Sequence, residues 1–439
     1  ARDAGASGVD STYGTGILDI AAAFAPRGAM TLAGGTTPVR VGMDTANASP
    51  AMGDALARTG PVTGVALDSY ARAYSLDLSG GLRGAALQPR LQGALANGTR
   101  VTSGGAGGVT LAFTVGEGTA EQRTPRARQL QLSGEQAEGA RLLAARVAAR
   151  IAPGTAMAFG LRESAAGLAA QLQGARQPAF LIARDAADDS GFARSSDASV
   201  ALRREFGRLR VTASAESGAV WRSDDLRAVE AMPGGPRERF GLYNFALAAD
   251  RSIGPMEALV GAGWLSEETS VLGASFAPAF GLRGAETLFL DASAGVDMGA
   301  GWRLGAAWRH GWTRVRQAGL VASGSALSTS GWSMDVSRGD TFTSGDSFGF
   351  RLSQPLRVTG GGIGLTLPVA YDYATLLPSY GTRFIALAPS GREIDAEMAW
   401  RGPLWGGNAS ASLYYRTEPG HYASLPDDKG VALRWRREF

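Results

Sequence analysis

Runs of about ten residues in which apolar and polar side chains alternate recur along this chain, and they constrain its fold more than any other feature. In the last run, Val431-Ala-Leu-Arg-Trp-Arg-Arg-Glu-Phe439, one face carries Val431, Leu433, Trp435 and Phe439, and the other Arg434, Arg436 and Glu438. A period of two marks a strand whose faces meet different surroundings. At the end of a soluble domain such a stripe would be left in water. In a barrel wall one face meets lipid and the other a polar lumen. Arg437, third from the end, departs from the pattern by standing on the apolar face.

From about residue 198 the chain reads as strand, turn, strand. Trp302, Leu304, Ala306, Trp308, His310 and Trp312 share one face, and Arg303, Gly305, Ala307, Arg309 and Gly311 the other. Aromatics near both ends of an apolar face are the arrangement of girdles at two membrane interfaces. The pattern repeats in Ile363, Leu365, Leu367, Val369 and Tyr371, in Ile394, Ala396, Met398 and Trp400, and in Ala409, Ala411, Leu413 and Tyr415. Asp395, Glu397, Arg401, Ser410, Ser412 and Arg416 lie opposite. The predicted girdle is Trp302, Trp308, Trp312, Tyr371, Trp400, Tyr415 and Trp435. A soluble β-sandwich shares the period, but the strand length, the tryptophans and the terminal phenylalanine favour the membrane.

Short connections at Gly207, 299–301 and 403–407 mix with long ones at about 219–238, 268–286, 373–389 and 418–428. Short turns at one end and long loops at the other are the habit of membrane barrels. Thirteen strand-like runs lie between 155 and 439. Two termini on one side require an even number, so twelve strands are expected, with the surplus run between 339 and 389.

Composition sets outer limits. No run of about 18 uncharged apolar residues occurs, which excludes helical spans but not strands. The 62 glycines suit strands and turns, the chain has no cysteine, and the net charge of +3 gives no case for nucleic acid. Lys429 is the single lysine, so the cations are arginines, which suit a lumen where guanidinium pairs with carboxylate. No signal peptide opens the chain. A barrel must be exported, so residue 1 is read as lying inside a longer translated product.

Upstream, Ser133-Gly-Glu-Gln136 has the capping-box spacing and opens an alanine- and arginine-rich stretch that ends at Pro153-Gly154. The spacing predicts a helix with Arg141, Arg146 and Arg150 either in a polar lumen or on a solvated surface. Residues 27–132 hold short β-like pieces such as 65–78, with Ser103-Gly-Gly-Ala-Gly-Gly108 as a flexible interruption.

Residues 9–26 resemble the C-terminal end of a subtilisin-like serine protease domain. There a Gly-x-Gly turn precedes an aspartate and an alanine-rich closing helix; here the matching residues are Gly14, Gly16, Asp19 and Ala21–Phe24. With the barrel pattern behind it, the chain resembles the rear part of a subtilisin-like protease autotransporter of a Gram-negative bacterium. The resemblance implies a protease remnant over 1–26, a glycine-rich β junction over 27–132, a linker helix over 133–153 and an outer-membrane translocator barrel over 154–439. The fold class expected is all-β, a transmembrane antiparallel barrel with that helix in its lumen and a small β-rich module outside it. The implied partners are the outer-membrane bilayer, the barrel assembly machinery reading Val431, Leu433, Trp435 and Phe439, the chain's own passenger domain and other outer-membrane proteins.

No catalytic apparatus of that protease family is present. A serine, histidine and aspartate triad is required, and the only histidines are His310 and His421, both in the barrel region. The chain is therefore read as non-catalytic, with no cofactor and no metal, and the precursor as the peptidase. Gly345-Asp-Ser-Phe-Gly349 fits the hydrolase elbow motif, but Phe348, Phe350 and Leu352 continue a strand where a strand-turn-helix is needed. His421, in the acidic segment 419–428, leaves open an outer-membrane hydrolase at the barrel rim. A passive porin-like or structural barrel, alone or as one partner in a larger assembly, is the third reading.

Overall fold

The structure, a computed structural model, describes residues 2–39, 46–87, 99–106, 108–116, 141–174, 180–221 and 239–436. Sixteen strands form one antiparallel sheet. They are β1 (Thr99–Ala106), β2 (Val109–Gly116), β3 (Arg141–Ala152), β4 (Thr155–Leu161), β5 (Arg194–Phe206), β6 (Leu209–Trp221), β7 (Arg239–Ile253) and β8 (Met256–Glu267). Then come β9 (Ala285–Gly299), β10 (Trp302–Val315), β11 (Ala326–Gly339), β12 (Ser347–Asp372), β13 (Leu377–Ala386), β14 (Ile394–Leu404), β15 (Gly407–Thr417) and β16 (Asp428–Arg436).

Fifteen strands follow one another round the wall in chain order, and β13 pairs only with β12. Twelve of the fifteen lie beyond residue 154, as expected, and the surplus run is β13. The lower part of β12 pairs with β14 over 347–353, whereas its upper part pairs with β13 over 362–372. The β12–β13 hairpin therefore projects beyond the wall. Tyr371 sits in that projection, so it does not belong to the wall's aromatic set. Ile363, Leu365 and Leu367, expected to face lipid, are buried; an added layer of chain covers them.

The wall strands show the two unlike faces their sequence encodes. On β10, Trp302, Leu304, Ala306, Trp308 and Trp312 are exposed, while Ala307, Gly311, Thr313 and Val315 are buried. Val431, Leu433 and Trp435 are exposed on β16; Phe439 lies outside the described residues. Inside stand buried charges: Arg203, Glu216, Arg351, Asp395, Glu397 and Arg416. An apolar exterior round a charged interior inverts a soluble protein. The chain is an outer-membrane type of β-barrel, its backbone groups paired in ladders as lipid demands.

Two upstream expectations are corrected. Residues 133–140 lie outside the described residues, and 141–152, expected as the end of a helix, are strand β3. The stretch Arg146-Val-Ala-Ala-Arg-Ile151 satisfies periods of both two and 3.6. Pairing with β4 across the two-residue Pro153-Gly154 turn, with Gly154 at φ +68°, decides for the strand. Residues 103–106, within the stretch expected as a flexible interruption, are the end of β1, paired with β2; residue 107 lies outside the described residues. Strands β1–β3 thus extend the wall from twelve to fifteen.

Residues 30–39 and 46–83 form a cap at the end of the barrel that carries the long connections. A four-stranded sheet (38–39, 30–32, 63–67, 73–77) joins a small one in which 46–47 pairs with 82–83 and with Ser275–Phe276 of the β8–β9 connection. One buried core runs through both parts, from Leu32, Met52, Leu56 and Ala66 in the cap to Leu265, Leu356, Ile363, Leu365 and Leu367 in the barrel.

Candidate functional site in the lumen and at its mouth

In the connection between β4 and β5, residues 162–174 and 180–193 turn inward instead of lying on the rim. Ser164 caps helix α1 (Ala165–Gln173), its side chain accepting from Gly167 N–H. Glu216 on β6 accepts from Ala165 N–H at 2.7 Å. Leu168 is fully buried against Ala158 and Ala201, and Gly174 in the left-handed region ends the helix. Further on, the backbone N–H groups of Leu181, Ile182 and Ala183 all donate to the Glu397 carboxylate on β14, at 2.8, 2.8 and 2.7 Å. Ser412 donates to the same group. One connection thus touches β4, β5 and β6 through its helix and β9 to β12 through the turn 186–188, and it reaches β14 through Glu397. Only a sheet curled into a tube permits that.

Charge pairing lines the rest of the lumen. Arg203 makes two bonds to Asp250, at 2.8 and 3.0 Å. Arg309 grips Asp291 at 2.6 and 2.9 Å and also donates to the Asp189 carbonyl at 2.9 Å. Arg351 bonds Asp335 at 2.9 Å and lies 4.4 Å over the Phe180 ring. Asp189 accepts from Gly191 N–H and Leu356 N–H at 2.9 and 2.8 Å. The planar guanidinium fork suits these two-point pairs, and the pairing pins the inward segment across the tube. Among the described residues, the inward segment and these ion pairs occupy the lumen.

At the mouth, His421 is 2 % exposed. Its Nδ1 accepts from Glu393 N–H at 2.9 Å, and the ring also bonds the backbone of Leu356. Burial pushes the imidazole down to about 4, against the opposing pull of the Glu393 carboxylate. The ring is thus held by the backbone of both Glu393 and Leu356. The cavity beside His421, Glu393, Arg416 and Asp189 measures about 30 Å³, room for a water molecule. Arg416 holds Glu393 at 2.9 Å, Asp395 at 3.4 Å and Asp428 at 2.9 Å. The cluster is a latch for the loops 387–393 and 418–427.

Other predicted residues scatter. Ser347 begins β12 at the short-turn end, the opposite end from His421. His310 lies among the outward tryptophans, 5.8 Å from the Trp308 ring and 4.5 Å from Trp312. Trp400 donates to Asp346 at 3.0 Å, Trp435 to the Leu404 carbonyl at 2.9 Å, and Tyr415 to Asp427. At the N-terminus, Gly14 and Gly16 take φ +58° and +102°, and a Cβ at Gly16 would meet the Arg2 carbonyl at 2.4 Å. Asp19 caps the short helix Ile20–Phe24 by accepting from Ala22 N–H. That helix buries nothing; Val9, Ile17, Leu18, Ile20 and Phe24 are all exposed. Arg72 ties its end to the cap by donating to the carbonyls of Ala23 and Ala25, at 2.7 and 3.0 Å. Burial alone would raise the Asp68 carboxyl; the Arg72 side chain and the N–H groups of Arg72, Tyr70 and Arg27 hold it well below the usual range.

Sequence reasoning missed the inward segment. Its signal is the apolar run Phe180-Leu-Ile-Ala183 in a connection that should be polar.

No protein-family model matches the chain, and neither does any curated protein sequence. Among solved structures, an anion-selective porin from Comamonas acidovorans aligns over 86% of this chain and 97% of its own, at 10% identity and a TM-score of 0.42. OmpT, an outer membrane protein of Vibrio cholerae, aligns over 77% of this chain and 90% of its own, at 9% identity and 0.40. OprB of Pseudomonas putida aligns over 74% and 81%, at 11% identity and 0.39.

Proposed function

We propose that the chain is an outer-membrane translocator and anchor that holds a subtilisin-like passenger at the cell surface. The observation that carries this reading is where the cap stands. Residues 2–26 rest on the long-connection end with their apolar side chains uncovered, while the last strand runs to the short-turn end. In this reading long connections face outward and short turns face the periplasm. The passenger core would cover Ile17, Leu18, Ile20 and Phe24, and the filled lumen would be the state after passage, sealed against leakage. Trp302, Trp308, Trp312, Trp400, Tyr415 and Trp435 would form the girdles. Trp302 and Trp312 are ten residues apart, or about 33 Å along a strand and about 25 Å across a membrane at a tilt near 40°. Val431, Leu433, Trp435 and Phe439 would be the stripe read by the assembly machinery.

The chain has no cysteine, so a Ser11→Cys variant carries a single thiol. On intact cells a membrane-impermeant maleimide should label it at once. Labelling only after the outer membrane is permeabilised would sink the proposal.

A further inference from the structure

The outer surface of the wall over β5 to β9 is not a uniform apolar belt. Successive cross-strand partners form rows across it. One row is Val200, Ala215, Phe245, Trp264 and Leu288, and the next is Leu202, Ala213, Leu247 and Ala262. Alanines 213 and 215 of β6 lie low between Val200 and Leu202 on one side and Phe245 and Leu247 on the other. The Phe245 and Trp264 rings stack at 5.7 Å and stiffen that far wall. The result is an apolar groove of about 480 Å³ open to the bilayer, within the ~300–1,000 Å³ range of small-ligand sites.

Followed towards the short turns, the rows change character. Each row lies about 7 Å beyond the last. The row after Leu202 and Ala213 carries Arg204, and the one after that carries Arg251. Both arginines are exposed on the outward face, and Arg208 in the adjoining turn is exposed too. Arg204 stacks over Phe206 at 5.2 Å. Their acidic neighbours in sequence, Glu205 and Asp250, alternate to the lumenal face, and Asp250 is taken by Arg203 and Arg210 there. An apolar trough thus ends in cations at headgroup depth.

We propose that this face binds one anionic glycerophospholipid of the leaflet at the short-turn end, with an acyl chain along β6 in the groove and its phosphate between Arg204 and Arg251. Charge complementarity selects this occupant. A second copy docked about a two-fold axis would bring the same arginines together. The assignment needs only a barrel in a bilayer and stands apart from the translocator reading.

The test uses the full chain in nanodiscs of mixed phosphatidylethanolamine and phosphatidylglycerol, with retained lipid counted by native mass spectrometry after detergent release. The chain should keep one phosphatidylglycerol. Filling the groove with Ala213→Phe and Ala215→Phe should cut retention about tenfold. The pair Arg204→Gln and Arg251→Gln leaves the trough intact and should retain lipid without preferring either headgroup. Heat-dependent gel migration checks that each variant folds. Unchanged retention in the filled variant, equal retention of both lipids by the unaltered chain, or a preference surviving in the arginine pair would each overturn the proposal, as would recovery of a bound protein on this face instead of a lipid.

Discussion

At the mouth of the barrel a neutral imidazole is held in place by its surroundings. His421 binds its proton near pH 4 when the latch is closed and near 6.5 when the loops open and water reaches the ring. Between those values opening takes up a proton, so acid favours the open loops. The stabilisation is complete above about 6.5, declines as pH falls and is gone by about 4, a swing of about 3 kcal/mol. Hydrogen exchange at the Glu393 amide should report it: protection falls across this window, whereas His421→Asn, which keeps an acceptor for that N–H, responds weakly. A flat profile for the unaltered protein would show that the ring stays solvated. The Asp68 and Arg72 pair works differently, because its carboxyl is held ionised. Arg72→Ala should therefore free the helix at Ile20–Phe24, read as faster proteolysis between residues 20 and 28 at neutral pH. Unchanged cleavage would mean that the Asp68 turn alone holds the tail.

The elements divide by how much of their environment is written in their own residues. β10 was legible in full because its faces differ in kind, tryptophan and leucine against arginine and glycine. β3 was not. Arg146, Val147, Arg150 and Ile151 fit a helix or a strand, and the partner that decides, β4, lies outside the window being read. Ile363, Leu365 and Leu367 gave the right period but the wrong solvent, because an apolar stripe reads alike under lipid and under a cap. The inward segment was hidden for another reason: its anchor, Glu397, lies 214 to 216 residues away from the amides it holds. Two outcomes follow for these elements. Ala306→Arg, outward on β10, should cost about 2–4 kcal/mol by desolvation. Ala307→Arg points inward against the turn 186–188 and should act by dislodging it. Equal stability losses with no conductance from the second would place the register off by one residue. Glu397→Leu removes the carboxylate that accepts from three N–H groups, two of them buried, at about 1–3 kcal/mol for each buried one. The segment at 180–183 should then detach and a planar bilayer should record ion flow. A silent bilayer would mean that the arginine pairs suffice to keep the tube shut.

For the molecule as a whole, the arithmetic of strand direction raises a question about which part closes. The path of fifteen runs from β1 to β16. Both of these strands run towards the short-turn end, and no ladder between them is among the described pairings. β4 runs the opposite way to β16, so the twelve strands from β4 onward have ends that can pair antiparallel, whereas the fifteen do not. Residues 154–439 alone should therefore fold as a twelve-stranded barrel, with β4 taking β16 in place of β3. Against this stands the loss of the cap. Uncovering Ile363, Leu365 and Leu367 costs on the order of 5–9 kcal/mol at about 1.5–3 kcal/mol per buried side chain. That cost falls on the end of the barrel that carries the long connections, where the β12–β13 hairpin, Ser275–Phe276, Leu265 and Leu356 share the cap's ladder and core, and it is heaviest on the hairpin, which projects beyond the wall. The shortened chain should show the heat-dependent gel shift of a folded barrel together with rapid protease cleavage near 373–376. No gel shift would make β1–β3 integral to closure; a shift with the hairpin still protected would mean that the cap contributes little to holding it.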